Sequence, residues 1–191
     1  MIVPVAVLII VIAVPLLGGK LSRIGDIKLK SIWAAVGALF IQIAIINVLP
    51  RGLPHGALAA IHLGTYVLAT WFVLANRKIP GLPLIALGAA LNLAVIAANS
   101  GVMPSSPAAS HLAGHDKPST KFVNSAETEN AHLAILGDNF AVPSGYPLAN
   151  VFSVGDIVLV AGAAVTFHVA GQSRLGRKRD VHFRPISIDP L

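Results

Sequence analysis

"FSVGDIVLVAGAAVTFHVA", residues 152–170, decides how the rest of the chain is read. From Ile157 to Ala170 it carries no Asp, Glu, Lys or Arg, yet it opens on Ser-Val-Gly-Asp. A helix that crosses a bilayer needs about 20 mainly apolar residues, with a usual range of roughly 17 to 25. Val154–Ala170 sits at the lower edge of that range. The carboxylate at its mouth admits two readings. In the local one, Ser153 is the N-cap and Asp156 lies three residues on, a capping box in which each side chain satisfies the other's backbone N–H. The carboxylate also meets the positive end of the helix dipole. In the functional one, an acidic group at the edge of a span marks a ligand, ion or proton site. One residue can serve both, and the sequence leaves both open.

Working outward, four more apolar stretches match the first: Ile2–Leu17, Ser31–Leu49, Ala57–Ala75 and Pro83–Ala98. The 191 residues are 55% apolar and only 12% charged, with a mean hydropathy of +0.77. Charged residues make up about a quarter of an ordinary soluble domain, so this chain lacks the charge to cover a water-facing surface. The expected fold is an all-α membrane protein: one five-span helical bundle over residues 1–171 and a basic tail over 172–191. The first stretch has no preceding positive charge and no small-x-small cleavage site before Gly18-Gly19-Lys20, so it is expected to be a mature helix and not a signal peptide. Pro4 falls in its first turn, and Pro15 and Gly18 help to end it. The chain has no cysteine, which excludes disulfides, thiol nucleophiles, thiolate metal sites and covalent haem attachment.

The formal charge of +6 is scattered over loop edges and one tail, and reads as a topology signal and not as a nucleic-acid surface. Lys20, Arg23, Lys28 and Lys30 follow span one, Arg77 and Lys78 follow span three, and Arg174, Arg177, Lys178, Arg179 and Arg184 fill the tail. These eleven share one side, against Arg51, Lys117 and Lys121 on the other, which accounts for all 14 Lys and Arg. The excess places the eleven in the cytoplasm. The N-terminus and the long 99–153 segment are then outside and the C-terminus inside, in a bacterial cytoplasmic (inner) membrane. Trp33 and Trp71 both fall at inner ends, where interfacial indoles belong.

The segment 18–30 carries Leu21, Ile24 and Ile27 at three-residue spacing among basic residues, suiting a short amphipathic segment along the inner surface. "PRGLPHG" (50–56) and "NRKIPGLP" (76–83) are tight turns. The outer 99–153 segment is too long for an ordinary connection and too apolar for a tether, with Phe122, Leu133, Ile135, Leu136, Phe140, Tyr146 and Phe152. It is expected to fold back as a cap. Within it "NSAETENAHLAILG" (124–137) reads as one short helix, capped by Asn124 or Ser125 and stopped by Gly137.

Sorted by depth, the polar residues crowd toward the outer end. Gln42 and Asn47 lie in the outer half of span two, His62 in the outer third of span three, Asn92 at the centre of span four and Asn99 at its outer edge. His62, Tyr66 and Thr70 step by four and form one stripe; Asn92 and Asn99, two turns apart, share a face. Asp138 follows the helix-stopping Gly137, where an Asx-type turn is its simplest role. His168, near the inner end of span five, reads as interfacial. The candidate ligand-binding set is Gln42, His62, Asn92, Asn99, Asp138 and Asp156. The competing reading is helix–helix glue, with Gly37, Gly64, Gly88 and Gly162 permitting close approach.

Other chemistries find less support. His111, His115, Asp116, Glu127, Glu129 and His132 show no metal-ligand motif, and His62 and His168 lie near opposite faces and would not clamp one haem. No serine stands in a nucleophile elbow, and no phosphate-cradling loop is present. No catalytic residue, metal or cofactor is assigned.

Three landmarks at the outer face, Asn99-x-Gly101-x-Met103-Pro104, Leu136-Gly137-Asp138 and Ser153-x-Gly155-Asp156, follow "NRKIPGLPLIALGAALNLAVIAANSGVMP" (76–104) in a set order. In this the chain resembles a family of small bacterial integral membrane proteins catalogued as a domain of unknown function, with a longer outer insertion here. The resemblance implies a fold and a membrane, and no activity. The expected function is that of a non-catalytic accessory subunit of a membrane complex, or a ligand-binding membrane protein with a polar pocket near the outer face. Its partners are the lipid bilayer and possible neighbouring membrane subunits, not nucleic acid. The alternative is a small transporter or lipid-handling enzyme using Asp156 and His62.

Overall fold

The computed structural model describes residues 2–47, 54–115, 125–127 and 130–177. All five apolar stretches are helical: α1 (Ile2–Leu16), α3 (Ile32–Asn47), α4 (His55–Ala75), α5 (Leu82–Ala98) and α7 (Val154–Ala170), with a single-turn α2 (Leu21–Gly25) after α1. One of them, over Gly56–Ala75, is long and apolar enough to cross a membrane. Ile2–Leu16, Ile32–Ile45, Leu82–Ala98 and Val154–Ala170 are shorter apolar helices. The amphipathic run expected over 18–30 is helical only over Leu21–Gly25. Residues 48–53 and the tail beyond Arg177, with Arg51, Lys117 and Lys121, lie outside the described residues.

The helices neighbour one another in the order α3, α4, α5, α7, α1, so the closest pair, α5 and α7, is not consecutive in the chain. Small residues explain that closeness. Gly81 lies against Gly162 and Thr166, and Gly88 against Gly155 and Leu159, so the two helices run antiparallel with glycines two turns apart on each facing side. A Cβ on Gly88 would sit 2.5 Å from the Gly155 carbonyl oxygen, and one on Gly162 would sit 2.7 Å from the Ile85 nitrogen. Side chains at these positions would drive the backbones apart. Of the four glycines expected to permit close approach, Gly88 and Gly162 do so, whereas a Cβ on Gly37 or Gly64 would meet open space.

Outside these contacts the helices are apolar and exposed. Leu8, Ile9 and Ile12 on α1, Trp33, Leu39 and Phe40 on α3, Val67 and Trp71 on α4, and Leu87 on α5 all face outward. Only 28% of the Gly56–Ala75 window is buried, so α4 is not the sheltered core helix of a larger body.

The segment between α5 and α7 folds into a cap. Met103–Ser105 (β1) pairs in parallel with Ser125–Glu127 (β2), and Phe140–Val142 (β3) pairs antiparallel with Asn150–Phe152 (β4). The Phe140 and Phe152 rings stack across the hairpin at 5.4 Å. Among the described residues the cap's α-helix is α6 (Pro107–Ala113) and not the 124–137 stretch. Ser106 caps α6 by accepting from the Ala109 N–H, Pro107 opens it, and Gly114 (φ +76°) ends it. Among the described residues of that stretch, 125–127 are a strand and only Ala134–Leu136 coil, as one 3-10 turn. Helix propensity is a weak prior, and here pairing with β1 overrides it.

Two apolar clusters hold the cap. Ala109, Ala113 and Val151, with Ala141, pack α6 on the hairpin. Val95, Ile96 and Met103, with Leu63, Tyr66 and Leu136, join the cap to α4 and α5. At the opposite end of the bundle, the Lys20 N–H donates to the Gly171 carbonyl at 2.9 Å and the Arg174 N–H to the Leu17 carbonyl at 3.0 Å. This ties the exit of α1 to the exit of α7.

Candidate functional site

Ser153 is the N-cap of α7 and Asp156 its third residue, and the capping box read from the sequence forms in full. The Asp156 N–H donates to Ser153 Oγ at 3.1 Å, and the Ser153 N–H donates to Asp156 Oδ2 at 3.1 Å. The structure adds a third member. Asn92 Nδ2 donates to Asp156 Oδ1 at 2.9 Å, and Ser153 Oγ donates to Asn92 Oδ1 at 2.9 Å. The result is a closed ring of three side chains and one capping turn that bolts the middle of α5 to the start of α7. Asn92 and Ser153 are buried and Asp156 is half-buried. Gly155 makes the ring possible, because a Cβ there would collide with the Asn92 amide.

The other candidates have separate partners. Asn99 ends α5, where its Nδ2 donates to the Val95 carbonyl at 2.7 Å and the His132 carbonyl at 2.8 Å. Its Oδ1 accepts from the His132 N–H at 2.9 Å, so one amide holds both backbone groups of a cap residue. Asp138 is buried in the cap; its N–H donates to the Pro104 carbonyl at 2.8 Å, and its own carbonyl accepts from the Ser106 N–H at 3.1 Å. Gln42 Nε2 donates to Thr65 Oγ1 at 2.9 Å, joining α3 to α4, and Thr65 in turn donates to the His62 carbonyl at 2.6 Å. His62 is buried, with its ring edge-on to Tyr66 at 5.4 Å between centroids. Tyr66 itself packs against Val95, Ile96 and Met103, where α4 and α5 meet the cap.

Asn92 and Asp156 are thus in direct contact, and the His62–Tyr66 pair lies where α4, α5 and the cap meet. Gln42 and Asn99 each act on a partner of their own. Thr70, the third member of the expected α4 stripe, is exposed. Thr65, buried between α3 and α4, takes the role that the four-residue spacing gave to Thr70. His168, in the last turn of α7, is buried, and its Nδ1 pairs with Ser173 Oγ at 2.8 Å in the turn that follows. Asn47 is helical, and Asp116 and Glu129 lie outside the described residues.

Sequence reasoning passed over Asn76, which repeats the Asn99 device at the other end of the bundle. Asn76 caps α4, donates to the Phe72 carbonyl at 2.7 Å and the Lys30 carbonyl at 2.8 Å, and accepts from the Lys30 N–H at 2.8 Å. The shared signal is an Ala-Asn pair at a helix end, 75–76 and 98–99.

A family model described as "Family of unknown function (DUF5317)" matches residues 26–168, from the segment before α3 to near the end of α7. The chain belongs to DUF5317. The match takes in every member of the candidate set and the Asn76 and Asn99 clamps. Over 103 residues, 54% of this chain, the DUF5317 protein is 33% identical to an uncharacterized protein of Thermotoga maritima, and the aligned part spans 60% of that relative. No solved structure matches.

Proposed function

We propose that this protein is a five-span integral protein of the bacterial cytoplasmic membrane, N-terminus out and C-terminus in, acting as a non-catalytic accessory subunit of a membrane assembly. The excess of basic residues at one end of the bundle supports the orientation. The outward apolar faces of α1, α3 and α4 support immersion in lipid. The four shorter helices, of 15 to 17 residues, are near the lower limit for spanning and rely on flanking small residues for the last turn.

The observation that carries the non-catalytic reading is the closed ring of Asn92, Ser153 and Asp156. Polar side chains between helices in lipid contribute roughly 0.6 kcal/mol per hydrogen bond on average. A ring of this kind therefore suits a latch that fixes how α7 and the cap sit on α5. Asn99 and Asp138 extend the latch through backbone contacts. The six residues Gln42, His62, Asn92, Asn99, Asp138 and Asp156 then hold the outer face in one shape, which a partner subunit would read.

A second reading keeps them as the lining of an outward ligand or proton site, with Asp156 and His62 as the exchanging pair of a small transporter or lipid-handling enzyme. The burial of His62 in α4 and the half-buried Asp156 at the start of α7 favour it, since ionisable groups in membrane helices are by default functional. Native mass spectrometry of the protein, extracted gently from its own membranes, separates the two. Partner chains at fixed stoichiometry support the accessory role. A lone chain carrying a small retained mass at the outer site supports the second reading and overturns the first.

A further inference from the structure

The other end of the bundle holds a recess of about 450 Å³ lined by Lys28, Lys30, Arg77 and Lys78, together with Leu74 and Asn76. We propose that it binds the phosphate-bearing headgroup of an anionic phospholipid. Topology alone explains basic residues in these two connections, but not their convergence. Lys28 and Lys30 precede α3, while Arg77 and Lys78 follow α4, some 46 residues later. They meet because the buried Asn76 amide grips the Lys30 N–H and carbonyl, each at 2.8 Å. The clamp uses only the Lys30 backbone and leaves its ammonium for a ligand. Among the described residues no acidic side chain lines the recess, and all four cationic residues are exposed.

The surroundings select a lipid over a soluble anion. Leu74 forms part of the wall and is exposed, and Trp71 lies one turn back on α4, also exposed. Trp33 stands exposed at the start of α3, three residues beyond Lys30. Indoles of this kind sit at headgroup level, with acyl chains beginning just beyond them. Lys and Arg clustered at the ends of membrane helices attract anionic lipid, and basic pockets between such helices take phosphate headgroups. A guanidinium can grip a phosphodiester through two parallel hydrogen bonds while the lysines act as point charges. The inner-leaflet location rests on the five-span reading; the headgroup chemistry does not.

The test is native mass spectrometry of the full chain in detergent with added phosphatidylglycerol, cardiolipin or phosphatidylcholine. The expected result is at least tenfold greater retention of phosphatidylglycerol or cardiolipin than of phosphatidylcholine, falling about tenfold in a Lys28→Gln/Arg77→Gln double variant. A Lys20→Gln/Arg174→Gln control, equal in charge but outside the recess, should retain the lipid as the parent does. Equal losses in both double variants would mean diffuse charge and no site. Absence of headgroup preference overturns the proposal, as does displacement of the lipid by millimolar inorganic phosphate, which would make the occupant a soluble anion. If the recess selects anionic lipid while a cysteine placed at Lys78 is labelled from outside the cell, the headgroup site stands and the five-span orientation falls.

Discussion

Replacing Gly155 by alanine should unlock α7 from α5. The added Cβ would collide with the Asn92 amide and lie 2.8 Å from the Gly88 carbonyl oxygen. Ordinary carbon–oxygen contact needs several tenths of an ångström more, and both neighbours are fixed, one as helix backbone and the other in the Ser153–Asp156 ring. Asn92 must swing away, losing its bonds to Asp156 and Ser153, at roughly 0.6 kcal/mol each and up to about 1.7 in the strongest membrane cases. Crowding a packed interface adds about 1–3 kcal/mol. The sum is roughly 2–4 kcal/mol, partly offset by a few tenths from the better helix propensity of alanine. For a chain of this size that lowers Tm by about 4–16 °C. Circular dichroism in detergent is the suitable assay, because Trp33 and Trp71 are both exposed and report packing poorly. Gly64→Ala is the internal control: its Cβ would meet nothing within 4 Å, so the variant should match the parent or gain up to about 1 kcal/mol. Equal melting of Gly155→Ala and Gly64→Ala would refute the close approach of α5 and α7.

Asp156→Asn keeps an acceptor for the Ser153 N–H, and should cost less stability than Asp156→Ala, which removes the carboxylate's bonds from the Ser153 N–H and from Asn92 at about 0.5–1.5 kcal/mol each; thermal melts rank the two. Under the latch reading Asp156→Asn also preserves recovery of any partner chains, whereas a proton-exchanging Asp156 would lose its activity in a protein that still folds. Asn99→Ala removes both bonds to His132 and should speed proteolysis between residues 130 and 136 without changing helical dichroism. An unchanged cleavage rate would show that the cap is held without Asn99. Asn76→Ala should release the 28–30 segment and weaken anionic-lipid retention as much as loss of Lys28 and Arg77 does, although it removes no charge; full retention would separate the clamp from the recess.

The five helices and the capping box were legible because both are written locally. Long apolar runs and a Ser-x-x-Asp spacing need no knowledge of distant chain. The α6 helix was equally legible in principle, since Ser106, Pro107 and Gly114 supply an N-cap, a first-turn proline and a left-handed stop. The prolines around it make the whole stretch look like loop, while the glutamates of 125–129 advertise a helix that pairing with β1 does not allow. The partners of Asn92, Asn99 and Gln42 were not legible. Depth along a span says that two polar groups lie at similar height, but their partners are set by which helices adjoin, and α5 adjoins α7 across an intervening 55-residue segment. The role of Asn76 was hidden for the same reason: nothing near it in sequence announces Lys30.

The most direct test of the account is the side of the membrane on which the cap lies. The chain has no cysteine, so single cysteines at Lys78, Ser144 and Arg177, all exposed, can each be probed with a membrane-impermeant maleimide on intact cells. The account predicts labelling at position 144 alone, with 78 and 177 reacting only after lysis. Were α4 the one crossing helix, all three positions would lie on one side and label alike, and that result would contradict the five-span bundle with its outer cap.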